Sequence, residues 1–191
     1  MHHRIVLARP APLREWRPEL PPGDLRSISL HWTAGDYETT FEAYHWCLTG
    51  ARDVTVHHTH DLRANMRDVR AGGAPPYAAH TARRNSWSIG VAVGAMGGAT
   101  PSDFGAWPIT EAQVDALCEV AAVLARFYAI PLDAVRTHAE AALDDGYFGD
   151  GDEQRWDIAR LRASSAPLAP PEATAAGDAF RARIAARLRA R

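Results

Sequence analysis

Ser88-Ile89-Gly90-Val91-Ala92-Val93 is apolar at nearly every position. A strand with one wet face alternates polar and apolar side chains, whereas a strand covered on both faces reads as a continuous apolar run. This run is therefore expected as a buried central strand, with helices on both sides of its sheet. Upstream, Ser27-Ile28-Ser29-Leu30-His31-Trp32 alternates and reads as a second strand. Residues 44–49 and 54–60 read as the two arms of a hairpin joined by Gly50-Ala51-Arg52-Asp53, after a short helical stretch at 38–43. Downstream, Thr110 and Gln113 stand in capping-box spacing ahead of Val114, Leu117, Cys118, Ala121, Leu124 and Tyr128, which recur on one side of a helix that Pro131 ends. Residues 134–138 form a further short strand ending in His138. Strands mixed with one strong helix indicate an α/β fold: a single domain with a small mixed β-sheet flanked by helices.

At 191 residues the chain fits one such domain, and a domain of this size buries roughly 70% of the surface of its unfolded chain without staples. Residues 1–26, rich in proline and arginine, read as an extended arm, and 27–161 as the domain proper. In 162–191, Pro167, Pro170 and Pro171 mark a linker, and a helix from about Asp178 closes the chain. Phe180, Ile184 and Leu188 recur at one-turn spacing in that helix, with Arg181, Arg183, Arg187, Arg189 and Arg191 around them. Such a basic amphipathic helix either docks on the domain or engages an anionic membrane surface. The formal net charge of -2 lacks the positive excess of nucleic-acid binders, so no nucleic-acid partner is expected. Cys47 and Cys118 are expected as buried free thiols. The N-terminal apolar run, Ile5 to Ala8, is too short for a signal-peptide core, and no stretch is apolar enough to span a membrane. The chain is therefore expected to be made in the cytoplasm.

The nine histidines raise the question of a metal. His31 ends the first strand and opens into Thr33-Ala34-Gly35; His138 ends the late strand; Asp157 follows in Gln154-Arg155-Trp156-Asp157-Ile158. Two imidazoles and one carboxylate are a three-ligand set that leaves zinc a fourth position for water. The ligands are scattered and carry no compact HExxH motif, so spacing alone is a weak signal. His58 and His60 share one face of their strand while His57 points to the other, and His45 reads as a structural hydrogen-bonding residue. The acids Asp144, Asp145, Asp150, Asp152 and Glu153 do not follow the order of an EF-hand loop and read as solvated.

Five separated pieces carry a more specific signal: His31-Trp32-Thr33-Ala34-Gly35, Tyr44-His45-Trp46, His80, Asn85-Ser86-Trp87-Ser88-Ile89-Gly90-Val91, and His138 with Arg155-Trp156-Asp157. In this order they resemble the type-2 N-acetylmuramoyl-L-alanine amidases, the group of phage lysozyme-type amidases and animal peptidoglycan recognition proteins. The resemblance implies that His31, His138 and Asp157 hold one zinc ion. It also implies that Tyr44 and Arg155 assist catalysis and that His80 and Asn85 line the substrate groove. Two departures matter. Arg155 stands where the family usually has lysine; it stays charged throughout, so it can stabilise an oxyanion but is poorly suited to pass a proton. Ala92 stands where cytosolic wall-recycling members carry a glutamate base, which aligns this chain with the phage type. The resemblance thus implies a zinc-dependent amidase that cuts the bond between the lactyl group of N-acetylmuramic acid and L-alanine of peptidoglycan. It would act as a monomer in cell-wall lysis after phage-type release, and otherwise in the cytoplasm. The alternatives are a non-catalytic peptidoglycan-binding module and a cytosolic amidase recycling anhydromuramoyl peptides.

Overall fold

The computed structural model describes residues 9–72 and 76–190. The expected N-terminal apolar run and Arg191 lie outside the described residues. Among the described residues six strands form one mixed sheet: β1 (Ala11–Pro12), β2 (Ser27–Trp32), β3 (Trp46–Thr49), β4 (Thr55–His58), β5 (Ser88–Val93) and β6 (Val135–Thr137), in the order β1-β4-β3-β5-β2-β6. The run Ser88–Val93 is central as expected. It lies parallel to β2 on one side and to β3 on the other, and each of its residues is buried. β3 and β4 make the expected antiparallel hairpin, and β6 adds in parallel outside β2.

β2 is the strand that its alternation indicates, and all of it beyond Ser27 is buried. Ser29 and His31 share a face, and that polar face carries a buried site rather than meeting solvent.

The expected helix is α1 (Glu111–Phe127), opened by a complete capping box: Gln113 N–H donates to Thr110 Oγ1 at 3.2 Å, and Thr110 N–H to Gln113 Oε1 at 3.1 Å. Two further helices are α2 (His138–Asp145) and α3 (Pro170–Arg189). The stretch 38–43 is turns rather than a helix. Asp36 Oδ1 accepts from Glu38 N–H at 3.0 Å and from the Thr39 hydroxyl at 2.7 Å, so a side chain captures donors that a helix would need.

α3 begins at Pro170, eight residues before the expected start. A proline in the first turn gives up an N–H that has no intrahelical partner anyway, so a proline pair marks a helix start here and not a linker. Phe180 and Ile184 are buried in the same core as α1 and the sheet. Arg183 pairs with Glu111 at 2.9 Å and Arg187 with Asp115 at 2.7 Å. The apolar stripe and part of the basic rim thus pack against α1 and the core, the docked one of the two arrangements that the sequence allows. No described helix is long and apolar enough to cross a membrane. At the other end, β1 pairs with β4, and Trp16 meets Trp46 edge-on at 5.3 Å. Cys47 and Cys118 are buried free thiols.

Candidate metal centre and active site

The parallel register of β2 and β6 pairs Leu30 with Thr137, so the next residues, His31 still within β2 and His138 just past the end of β6, stand side by side. His138 does not end the strand as expected; it is the first residue of α2. Thr137 caps that helix in a second capping box, with Glu140 N–H on Thr137 Oγ1 at 3.2 Å and Thr137 N–H on Glu140 Oε2 at 3.0 Å. The Glu140 carboxylate is gripped from α3 by Arg181, at 3.0 and 2.8 Å. Asp157 arrives from the loop after α2. Its carbonyl accepts from Ala139 N–H at 3.0 Å, which satisfies a free donor of the first turn of α2 and locks the loop to His138. The next residue, Ile158, sits at φ 62 with its side chain fully buried. A left-handed backbone is unusual for a β-branched residue, so packing holds this turn open at the site.

Three donor atoms converge here. His31 Nδ1 and His138 Nδ1 are 3.1 Å apart, His138 Nδ1 and Asp157 Oδ2 3.2 Å, and His31 Nδ1 and Asp157 Oδ2 3.5 Å. With bonds of about 2.0–2.1 Å, two ligands of tetrahedral zinc lie about 3.3 Å apart, so the triangle has the size of one face of that tetrahedron. Burial draws the His31 pKa down to about 4, although the Asp157 hydrogen bond opposes it. Burial also acts to raise the Asp157 pKa, but the hydrogen bonds and charges of the two histidines outweigh it and hold the carboxyl well below the usual range. A neutral ring and an ionised carboxylate are the forms that bind a metal, and the donor set fits one cation.

A cleft of about 840 Å³ opens over this triangle. Tyr44, His80, Asn85, His138, Arg155 and Asp157 all line it, so the structure brings every expected site residue to its walls except His31, which lies fully buried beneath. Tyr44 lies just before β3 and not within it. Its ring centroid is 4.9 Å from that of His31, and its hydroxyl donates to Trp32 O at 3.3 Å. Burial, reinforced by the charge of Asp157, raises its pKa, so the phenol keeps its proton. Arg155 is exposed at the cleft mouth, donating from Nη1 to Asp152 O at 3.1 Å and Gln154 O at 2.6 Å. Ala92 faces His31 across the β2–β5 register, so no acid stands at that neighbouring position.

A family model described as N-acetylmuramoyl-L-alanine amidase matches residues 21–156. The chain belongs to the N-acetylmuramoyl-L-alanine amidase family. Among solved structures, a mutant of PlyL is similar at 16% identity and a TM-score of 0.47, over 85% of this chain and 86% of that one. The Escherichia coli N-acetylmuramyl-L-alanine amidase AmiD, in complex with anhydro-N-acetylmuramic acid-L-Ala-D-γ-Glu-L-Lys, is similar at 18% identity and a TM-score of 0.41. That match covers 66% of this chain and 52% of the other. No curated protein matches the chain closely enough to count as a relative. The family makes the chain an amidase acting on peptidoglycan.

The remaining histidines of the amidase have separate tasks. His57 Nε2 meets Thr49 Oγ1 at 2.8 Å, His58 stacks on Trp46 at 4.3 Å, and His60 lies between Glu42 O at 2.9 Å and Pro76 O at 3.0 Å. Among the described residues they belong to no group that could hold a metal ion, whereas His31, His138 and Asp157 form one. His45 Nδ1 accepts from Gly90 N–H at 3.0 Å, the structural bond expected of it. Asp145 is not simply solvated: it pairs with Arg84 at 2.7 Å and ties the 81–84 turn to α2.

Sequence reasoning passed over several residues that shape the site. Trp156 stands edge-on to Trp32 at 4.6 Å and walls the cleft beside Asp157. Tyr147 stands 6.0 Å from the His138 ring. Thr81 touches two histidines. Trp156 lay inside a motif already singled out; Tyr147 had no local signal, and Thr81 had only its place after His80.

Proposed function

We propose that this amidase is zinc-dependent and that it cleaves the amide joining the lactyl carbonyl of N-acetylmuramic acid to L-alanine during cell-wall lysis. The observation that carries the reading is the buried triangle of His31 Nδ1, His138 Nδ1 and Asp157 Oδ2 at the floor of an open cleft. These three residues would hold the ion. Bound there, zinc supplies Lewis acidity for the scissile carbonyl and brings water close to ionising at neutral pH.

The chain's own residues do the rest. Asp157 and the two rings keep one side of the site closed and leave the cleft side for water and substrate. Tyr44, held protonated beside His31, orients the attacking water or hands a proton toward the leaving amine. Arg155 offers a permanent positive charge for the oxyanion of the tetrahedral intermediate. Its Nη1 is engaged by backbone carbonyls, and among the described residues no hydrogen bond uses Nη2. Losing one such donor typically costs on the order of 100- to 1000-fold in rate. His80 and Asn85 border the same cleft and face the sugar-peptide junction. Ala92, in place of an acid beside His31, favours wall lysis over recycling of soluble fragments.

The test incubates the protein with purified wall sacculi and, separately, with soluble anhydromuramoyl peptide. New alanine amino termini from sacculi, abolished by chelator and restored by zinc, are the expected result. Cleavage confined to the soluble fragment overturns the lysis assignment, and turnover indifferent to chelator overturns the zinc assignment.

A further inference from the structure

Thr81 is almost fully buried, at 1% exposure, and its hydroxyl sits between two imidazoles: His31 Nε2 at 3.3 Å and His80 Nδ1 at 2.9 Å. The hydroxyl has one proton to give and lone pairs to receive. His31 turns its Nδ1 toward His138 and Asp157, so with that lone pair on a cation its proton must reside on Nε2, facing Thr81. The Thr81 oxygen then accepts from His31, and its own proton goes to His80 Nδ1. The contacts allow one consistent direction of donation from His31 through Thr81 to His80.

The surroundings hold Thr81 in place. Its backbone N–H donates to Asn85 Oδ1 at 2.9 Å, and its carbonyl accepts from Arg84 N–H at 3.1 Å. Arg84 bonds Asp145 of α2 through Nε at 2.7 Å and Nη2 at 2.8 Å, so the turn is clamped to the helix that presents His138. His80 cannot back away, because it lies against Gly90 of the central strand, where an added Cβ would fall 2.5 Å from the ring. Asn85 and His80, expected as substrate contacts, thus also spend polar atoms on fixing Thr81.

We propose that Thr81 is a positioning residue of the metal centre: its hydroxyl takes the Nε2 proton of His31 and holds that ring with its Nδ1 lone pair on the metal position, with His80 completing the relay. This rests on the zinc reading. Partners that orient a ligating imidazole are typically worth 10- to 100-fold in metal affinity. Valine has the shape of threonine without the hydroxyl, and serine keeps the hydroxyl.

The test measures zinc affinity by competition with a chromophoric chelator for the full-length wild-type, Thr81→Val, Thr81→Ser and Thr81→Ala chains, alongside thermal melts of the metal-free proteins. Thr81→Val should weaken zinc binding by about 10- to 100-fold, and Thr81→Ser should recover most of it. Thr81→Ala carries the comparison if the valine variant does not fold. Folded Thr81→Val or Thr81→Ala chains that bind zinc within about threefold of wild type would overturn the positioning role alone, as would serine and valine variants equally impaired. A wild-type chain that binds no zinc would overturn the zinc reading together with it.

Discussion

Gly177 lies inside α3, where replacing glycine by alanine ordinarily stabilises a helix by about 1 kcal/mol. Here the sign should reverse. An added Cβ would meet the Glu140 carboxylate at 2.0–2.2 Å, so the carboxylate must move by more than about 1 Å to restore van der Waals contact. It is held by Thr137 N–H and by two Arg181 donors. Losing about two of these charge-assisted bonds, at about 1.5–3 kcal/mol each, outweighs the helix gain and leaves a net loss of about 2–5 kcal/mol. For a chain of this size that is a fall in Tm of roughly 4–20 °C. Calorimetric melts of the metal-free wild type and Gly177→Ala measure it. The same substitution in a Glu140→Ala background, where no carboxylate stands in the way, should be neutral or stabilising. A rise in Tm for Gly177→Ala in the wild-type background, or an identical loss in both backgrounds, would refute the idea that α3 buttresses the cap of the ligand-bearing helix.

His138→Ala should reduce bound zinc from about one ion per chain to a small fraction and abolish turnover while the metal-free fold persists; a variant that keeps full zinc and activity rules out His138 as a ligand. Acid sensitivity should come in part from His45, whose pKa burial draws down to about 3, with the charge of His60 adding to the effect. The unfolded chain then takes up that proton first, so the stability is fully present above about pH 6.5 and is lost as pH falls toward 3, by about 2 kcal/mol between pH 7 and 5. His45→Asn, which retains an acceptor for Gly90 N–H, should flatten urea-measured stability over that interval by this amount; an unchanged slope argues against burial as the cause.

Much of the secondary structure was readable because its causes are local. Ser88–Val93 declares a covered strand through its own side chains, and the Thr110–Gln113 box lies within one turn of the α1 start. α2 carries the same kind of signal, Thr137 and Glu140 in capping-box spacing, but it overlaps the strand pattern of 134–138, which masks the helix start at His138. Asp36 defeats the expected 38–43 helix by a competition between a side chain and the backbone that periodicity does not register. The prolines before α3 support a linker and a helix start equally well, until Phe180 and Ile184 find a core to enter.

The site divides in the same way. Residue types and motif order pointed to His31, His138 and Asp157, but 107 positions separate the two histidines, and no local preference acts over that distance. Only the parallel pairing of Leu30 with Thr137 sets the two rings abreast, and only the bond from Ala139 to the Asp157 carbonyl brings the acid to them. Caps and periodicity arise among neighbours within about four residues, so strands β2 to β6, the first helix and the chemical character of the site are written locally in the chain, whereas β1 exists only through its pairing with β4. Register between distant strands comes from packing the whole core, and that packing alone decided which donors meet, which hydroxyl orients them, and that the last helix supports them from behind.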